Sequence, residues 1–242
     1  MGSLADIMGV PVNVLSDREL LGLMRLYMGN DYMNRIFMLS VDTFSFLSEN
    51  PEQKSVMDDA DLIIPAEKIV LGKRQRHFAK NIVKGYMSFM YLLRIKGLVE
   101  SMYIIGDSEK QTEQLVEVCK KQNDSLIISG SYNINDETKS EEEVINEINS
   151  VMPDIIILAV EDGKLFNWVM ENGQKLAAKL CVCMCDIAER VIKENSSPPG
   201  IISALGFEKL YYSMIQKKYK GNTKKERIFN ALIADYNNKN GE

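Results

Sequence analysis

An acidic residue follows one of the shortest predicted strands in this 242-residue chain. The apolar run at residues 62–64 is followed by Pro65, and Ala66 and Glu67 come directly after Pro65. Because ligands of open α/β sheets bind at the carboxyl ends of strands, we expect Ala66 and Glu67 to face a binding site. Ala66 supplies no acid, base or metal ligand, so the first residue of this expected site cannot do chemistry.

A second acidic segment, at residues 159–164, follows a predicted buried strand and precedes a predicted helix. Its two acids, Glu161 and Asp162, are able to orient a sugar hydroxyl, and Lys164 is able to meet a phosphate. A solvated loop that caps the next helix explains the same residues equally well. The sequence leaves both interpretations open.

The segment at residues 104–108 has the form of a strand, a glycine turn and a capped helix start. Backbone N–H groups at such a helix N-terminus suit a phosphate. The turn holds only one glycine, Gly106, and Asp107 has the wrong charge for a phosphate neighbour. A plain βα turn that ends at Ser108 is therefore the favoured interpretation.

Apolar runs alternate with helical patterns along most of the chain. Strands are predicted at residues 36–41, 62–64, 102–105, 126–129, 155–160 and 180–184, and helices include those at 50–57, 78–96, 164–178 and 201–218. Strands alternating with helices of this length predict an α/β fold, a Rossmann-like parallel sheet with helices on both faces. We expect an α/β domain at residues 1–195 and a helical, basic C-terminal appendage at 196–242.

Composition argues against several classes of protein. The net charge of −5 gives no global reason to expect a nucleic-acid partner. The longest apolar run, residues 155–160, is far shorter than the roughly 20 residues that a membrane span needs. The N-terminus shows no basic region followed by an apolar core, so no signal peptide is expected. Four cysteines without a framework of spaced pairs indicate a reducing cytoplasm.

Three cysteines, Cys181, Cys183 and Cys185, alternate on a predicted strand and so point to one face. Metal sites usually place paired cysteines in loops at C-x2-C spacing, with further ligands from elsewhere. The single histidine, His77, lies in a basic segment and is expected at the surface. We therefore expect buried small side chains and neither a metal site nor a cofactor.

The segment Lys217–Arg227 holds six basic residues against one Glu and leads into an amphipathic segment. Each basic residue near an anionic membrane contributes about 1 kcal/mol, so peripheral membrane contact is one interpretation. A solvated run of charge is the other, and the sequence favours neither.

Several strings resemble, in order and spacing, the WecG/TagA/CpsF glycosyltransferase family over about residues 5–220. They are Gly9-Val10-Pro11, Val41-Asp42, Asn50-Pro51-Glu52, Asp59–Pro65, Pro153–Ile157, Trp168–Asn172 and Leu205–Tyr211. The resemblance implies transfer of N-acetylmannosamine or a related sugar from a UDP-sugar to a polyprenyl-diphosphate-linked acceptor, without a metal. It also implies bacterial cell-surface polysaccharide biosynthesis, in the cytoplasm near the inner face of the membrane.

The family's chemical motifs are where this sequence departs from the pattern. The family has an Asp-Gly after the Pro, whose Asp is its candidate general base, and Ala66-Glu67 stands there. Ser40 replaces the Asn of its Thr-x-Asn motif, and Leu165 replaces the Gln of its Gly-Ser-Pro-Lys-Gln-Glu loop. Its C-terminal arginines are also replaced, although we expect Lys218 to keep a cationic position.

These departures predict impaired or altered sugar transfer, with Glu67 or Asp42 as the base. The expected substrate-binding residues are Ser40, Ala66, Gly106, Asp107, Ser108, Gly130, Asp162, Gly163, Lys164 and Lys218. The alternative is a non-catalytic family member, which binds a nucleotide sugar or regulates an active glycosyltransferase in a homo- or hetero-oligomer.

Overall fold

A computed structural model of the chain describes residues 3–71, 85–195, 209–210, 213–214 and 223–240. An antiparallel hairpin, β1 (Ser3–Ile7) and β2 (Val10–Val14), comes first. The strands of the main sheet are β3 (Asn34–Leu39), β4 (Leu62–Pro65), β5 (Ser101–Gly106), β6 (Ile127–Asn133), β7 (Ile155–Ala159) and β8 (Leu180–Cys183).

The six strands of the main sheet lie in the order β4-β3-β8-β7-β5-β6, and every neighbouring pair is parallel. Alternate residues of β3 point to opposite faces, as the period of two requires. Ile36 and Met38 belong to one apolar cluster, whereas Phe37 and Leu39 belong to the other. The predicted α/β class with a parallel sheet covered on both faces is therefore confirmed.

The α-helices are α1 (Asp17–Tyr27), α2 (Val41–Glu49), α3 (Gly85–Leu93), α4 (Glu109–Gln122), α5 (Glu141–Val151), α6 (Asp162–Asn172), α7 (Ala188–Asn195) and α8 (Thr223–Asn240). The cluster that contains Phe37 and Leu39 takes side chains from α2, α5, α6 and α8, and the cluster that contains Ile36 and Met38 takes them from α1, α3, α4 and α7. None of the helices in the described part of the chain is long and apolar enough to cross a membrane.

Some predicted boundaries are wrong in ways that affect the site. Residues 51–57 form a 3-10 helix, and β6 continues to Asn133. Helix α6 begins at Asp162 because the Leu165 amide already bonds to the Glu161 carbonyl, and it ends at Asn172. The boundary expected at residue 195, most of the helix expected at 201–218, and His77 lie outside the described residues.

The C-terminal helix α8 packs against α2 through buried aromatic rings. Phe229 is 1% exposed, and its ring meets that of Phe44 edge-on, with 5.7 Å between centroids. Farther along the helix, the Lys54 ammonium lies 5.1 Å from the centre of the Tyr236 ring. These contacts place the N-terminal turn of α8 beside the carboxyl ends of β3 and β4.

Candidate active site

The candidate site lies where the carboxyl ends of the parallel strands open into loops. Asp42 follows β3 and Glu67 follows β4, while Asp162 follows β7. Side chains from α7 and α8 reach the same edge of the sheet through Arg190 and Lys225. The predicted bases, Asp42 and Glu67, and the predicted binding residue Asp162 therefore lie together at the carboxyl ends of the strands. Two cations, Arg190 and Lys225, lie beside them.

Ser40 caps α2, and this role uses its hydroxyl. The Ser40 Oγ accepts hydrogen bonds from the amides of Asp42 at 3.0 Å and Thr43 at 3.1 Å. In return, the Ser40 amide donates to Thr43 Oγ1 at 3.2 Å. Ser40 is completely buried, so the structure assigns this predicted binding residue to a cap.

Ala66 continues the pairing of the two edge strands. Its amide donates to the Leu39 carbonyl at 2.7 Å, and its side chain is 1% exposed within the cluster that contains Ile64 and Met184. The methyl group of Ala66 therefore packs against apolar side chains. The next residue, Glu67, is the one whose carboxylate reaches the group of charges.

Lys225 joins the two carboxylates that we predicted as bases. Its Nζ lies 3.0 Å from Glu67 Oε1 and also contacts Asp42 Oδ2. On the other side, Arg190 Nη1 lies 3.5 Å from Glu67 Oε1, and Arg190 Nε lies 3.1 Å from Glu194 Oε1. Glu67 and Arg190 are both buried, and burial of either charge alone would carry a large desolvation cost. The attraction between their opposite charges offsets part of this cost.

The surroundings of Lys225 favour its charged form. Burial acts to lower its pKa, but the hydrogen bonds to Asp42 and Glu67 and the charges of both carboxylates outweigh it, so the pKa is raised. Lys225 is therefore an ammonium throughout the neutral range. We call Asp42 and Glu67 the carboxylate pair.

Asp162 lies in a buried polar network rather than in a solvated loop, which was one of the two interpretations that the sequence left open. The Thr43 hydroxyl donates to Asp162 Oδ1 at 3.2 Å, and the Cys185 thiol also hydrogen-bonds the carboxyl. Burial is the main reason that the pKa of Asp162 is raised to about 6, and the charges of Asp42 and Glu161 raise it further. The two hydrogen bonds act in the opposite direction. Asp162 is therefore a carboxyl group able to hold or release a proton near neutral pH.

Cys185 reaches this network through an unusual backbone conformation. It follows β8 with φ of +50°, a left-handed conformation that costs a non-glycine residue about 1–2 kcal/mol. Cys181, Cys183 and Cys185 are all buried in one apolar cluster, as expected, although β8 ends at Cys183 and Cys185 lies beyond the strand. Only Cys185 among them contacts the polar network, through its hydrogen bond to Asp162.

A second group of polar residues lies at the crevice between β5 and β7. Helix α4 connects β5 to β6 on one side, and α6 connects β7 to β8 on the other, which makes this crevice a topological switch point. Asp107 Oδ2 accepts the Glu161 amide at 2.9 Å. Its Oδ1 is buried, and the described residues give it no hydrogen-bond partner. Burial raises the pKa of Asp107.

An amide and an ammonium complete this crevice. Asn135 Nδ2 donates to the Asp107 carbonyl at 2.7 Å, and Lys164 Nζ donates to Asn135 Oδ1 at 2.7 Å. Carboxylate and amide groups of this kind recognise hydroxyl groups, and an ammonium suits a phosphate. The structure therefore brings Asp107 and Lys164 together through Asn135, which the sequence did not single out.

Gly106 and Ser108 form the start of α4, as the sequence predicted. Ser108 Oγ accepts the Gln111 amide at 3.2 Å, and Gln111 Oε1 accepts the Asp107 amide at 2.9 Å. A Cβ on Gly106 would lie 2.6 Å from Thr112 Oγ1, so the turn requires glycine for close packing. The chain's own side chains thus use two of the amides that a phosphate would need.

The remaining predicted binding residues are spread over the fold. Gly130 lies inside β6, where a Cβ would come within 2.3 Å of the Tyr103 ring, so its place is explained by packing. Gly163 lies in the first turn of α6, beside the ring of Phe46. Lys218 lies outside the described residues.

Five residues were not predicted as site residues from the sequence: Thr43, Asn135, Cys185, Arg190 and Lys225. Thr43 had a signal, because it stands at the third position of a helix that Ser40 caps. Lys225 belongs to the basic segment Lys217–Arg227, but its pairing depends on where α8 docks. Arg190 and Cys185 had no local signal that separated them from ordinary helix and strand residues.

The comparison with protein families gives one match. The model of the glycosyl transferase WecG/TagA/CpsF family covers residues 5–219 of the 242 in the chain. A search among curated proteins gave no match. The family match ends before α8, which begins at Thr223. The chain belongs to the WecG/TagA/CpsF family of glycosyltransferases.

Proposed function

We propose that this chain binds a UDP-sugar and acts on a polyprenyl-diphosphate-linked acceptor, with sugar transfer that is impaired or altered relative to its family. The observation that supports this most directly is the pair Ala66 and Glu67. Ala66 stands where the resemblance expects the base, and it is buried among apolar side chains. The carboxylate of the next residue, Glu67, is bound by Lys225 and Arg190.

The acceptor side of the reaction needs a group that takes a proton from a hydroxyl. Glu67 and Asp42 are the predicted groups, and Lys225 contacts both. An acceptor hydroxyl therefore has to share each carboxylate with the Lys225 ammonium, which already contacts Glu67 Oε1 and Asp42 Oδ2. This requirement is a physical reason for slow or altered transfer.

The donor side needs groups that hold a sugar and a diphosphate. The crevice between β5 and β7 offers Asp107 Oδ1, which has no hydrogen-bond partner among the described residues, as a hydroxyl acceptor, and Lys164 as a cation for phosphate. The switch point of an open α/β sheet is the usual place for a nucleotide. We therefore assign the nucleotide sugar to this crevice.

A non-catalytic role is the second candidate, and the same ion pairs favour it. In this case the chain binds a nucleotide sugar, or an active glycosyltransferase, without transferring a sugar. The carboxylate pair then serves to anchor α8 rather than to accept protons.

A transfer assay on a lipid-diphosphate acceptor separates these two candidates. The enzyme candidate predicts slow turnover of a UDP-N-acetylhexosamine that disappears in Glu67→Gln. The Asp235→Asn variant is the matched control, since Asp235 lies on α8 and pairs with the exposed Lys239. Binding without turnover in the unchanged chain would contradict the enzyme candidate and leave the non-catalytic one.

Membrane contact through Lys217–Arg227 is a further part of the proposal. In the described part of this segment, Lys224 and Arg227 are exposed on α8, while Lys225 turns toward the carboxylate pair. Sedimentation with anionic vesicles tests it, because each exposed basic residue should add about 1 kcal/mol of attraction. Equal sedimentation of a chain that ends at residue 216 would contradict this contact.

A further inference from the structure

We infer that Asp162 is a proton-linked positioning residue, which in its ionised form fixes the hydrogen bonds of the first turn of α2, where the predicted base Asp42 lies. This inference deepens the proposed function and rests on it for the part that Asp42 plays in sugar transfer. The link between the proton on Asp162 and the turn of α2 can be tested without any substrate.

Two hydroxyl groups connect Asp162 with the N-terminus of α2. The Thr43 hydroxyl donates its only proton to Asp162 Oδ1 at 3.2 Å. The contact of 3.2 Å between Ser40 Oγ and Thr43 Oγ1 therefore has to use the proton of Ser40. Ser40 Oγ in turn accepts the amides of Asp42 and Thr43. All of these bonds run in one direction, from the backbone of the turn to the carboxyl group.

This direction satisfies every donor and acceptor of the two hydroxyl groups. Each hydroxyl has one proton and two lone pairs. Thr43 Oγ1 accepts from the amide and the hydroxyl of Ser40, and Ser40 Oγ accepts two amides. Both residues are completely buried, so a lost bond would leave a buried polar group without a partner. Asp162 Oδ1 therefore has to be an acceptor, and an ionised carboxylate accepts more strongly than a neutral carboxyl group does.

The surroundings of Asp162 make this ionised form costly. Asp162 is 8% exposed, and its burial and the charges of Asp42, on α2, and Glu161, beside it in sequence, raise its pKa to about 6. The Thr43 hydroxyl and the Cys185 thiol are neutral donors that oppose this rise. The group is nevertheless mostly ionised at neutral pH. An asparagine amide could accept the same hydroxyl without this cost, so the carboxyl group indicates a use for its charge.

Asp162 also lies between the two parts of the candidate site. It is the first residue of α6, and the amide of Glu161 before it donates to Asp107 Oδ2 in the crevice at 2.9 Å. Its bond to Thr43 reaches the turn that follows β3. The charge of Asp162 should therefore make the position of Asp42, and with it the transfer of a proton from the acceptor, depend on pH near 6.

Backbone NMR of the full chain tests this link without a substrate. In the unchanged chain, the amide resonances of Asp42 and Thr43 should shift with a common midpoint near pH 6, because both amides donate to Ser40 Oγ. Asp162→Asn should lose this midpoint. The control Asp235→Asn, at an exposed site on α8, should keep it. The absence of a midpoint between about pH 5 and pH 7 in the unchanged chain would overturn the inference.

Two variants of Thr43 separate the hydrogen-bonded link from the field of the charge alone. Thr43→Val removes the hydroxyl with little change in size, so the pH-dependent shift of the Asp42 amide should fall at least about twofold. Thr43→Ser keeps the hydroxyl and should keep the shift. A shift of the same size in Thr43→Val and in the unchanged chain would overturn the link through the hydroxyl groups.

The pH dependence of sugar transfer tests the consequence for the proposed function. With UDP-N-acetylglucosamine and a lipid-diphosphate acceptor, the kcat of the unchanged chain should rise about tenfold between about pH 5 and pH 7. In Asp162→Asn, kcat should change by less than about twofold over this range, with a nearly unchanged KM for the UDP-sugar. A rise of equal size in both proteins would overturn the role of Asp162 in transfer. If neither protein transfers sugar while the NMR midpoint depends on Asp162, the proposed function fails and the proton-linked turn stands.

Discussion

Lys225 Nζ lies 3.0 Å from Glu67 Oε1, and this contact joins the C-terminal helix to the end of an edge strand of the sheet. The two residues are separated by 158 positions in sequence. The pair connects the part of the chain that matches the glycosyltransferase family with the part that follows it. Its strength therefore bears on both stability and function.

The coupling between Lys225 and Glu67 should be measurable by a double-mutant cycle. The side chain of Glu67 is 9% exposed and that of Lys225 is 25% exposed, so the pair lies between the surface and buried classes. We expect a coupling energy of about 1–2 kcal/mol in urea unfolding of Lys225→Met, Glu67→Gln and the double variant. Additive effects within about 0.3 kcal/mol would contradict the pairing.

Phe229→Ala should loosen α8 more than any change on its exposed side. Removing a ring that is 1% exposed leaves a cavity beside Phe44, and such changes cost about 3–5 kcal/mol. Hydrogen exchange should show faster exchange along Thr223–Asn240, with the strands of the sheet little affected. The control Ile228→Ala, at a residue that is 38% exposed, should leave the exchange nearly unchanged. Equal protection in both variants would contradict the docking.

Asp162 should make stability depend on pH. Its pKa is raised from 3.8 to about 6 in the folded protein, so the folded state holds the proton more tightly than the unfolded state does. The contribution of Asp162 to stability is therefore fully present below about pH 4 and is lost as the pH rises through about 6, by roughly 3 kcal/mol. Asp162→Asn should lack this loss, so urea unfolding of the two proteins should diverge across that window. Parallel pH profiles would show that Asp162 does not titrate in this way.

Introducing at position 66 the acid that the resemblance leads us to expect there should destabilise this chain. Ala66 is 1% exposed among apolar side chains, so Ala66→Asp would bury a carboxyl without a partner. We expect a loss of at least about 2 kcal/mol in urea unfolding. Ala66→Ser is the milder control, because a hydroxyl costs less to bury than a carboxyl. A stable Ala66→Asp protein would mean that this position opens toward the site.

The order of elements was predictable because local patterns determine it. The buried strands around Ile36 and Ile156 are continuous apolar runs, which is typical of a parallel sheet covered on both faces. Asp107 and Asp162 were also found from sequence, since they follow strands directly. The burial of these two carboxyl groups could not be predicted, because it depends on neighbours from other strands.

The ion pairs at the site could not be predicted from the sequence. Lys225 meets Glu67 only because Phe229 docks α8 on α2, and this packing joins residues far apart in the chain. The left-handed conformation of Cys185 had no sequence signal either, since cysteine does not favour positive φ. Long-range packing and local strain therefore account for what the sequence missed.

Calorimetric titration with UDP-N-acetylmannosamine tests the central claim most directly, because it asks whether the site still binds a nucleotide sugar. We predict saturable binding to the unchanged chain that weakens at least about tenfold, or 1.4 kcal/mol, in Asp107→Asn. Asp235→Asn, on the exposed side of α8, should bind as the unchanged chain does. If neither the unchanged chain nor Lys225→Met gives a heat of binding, the claim is contradicted.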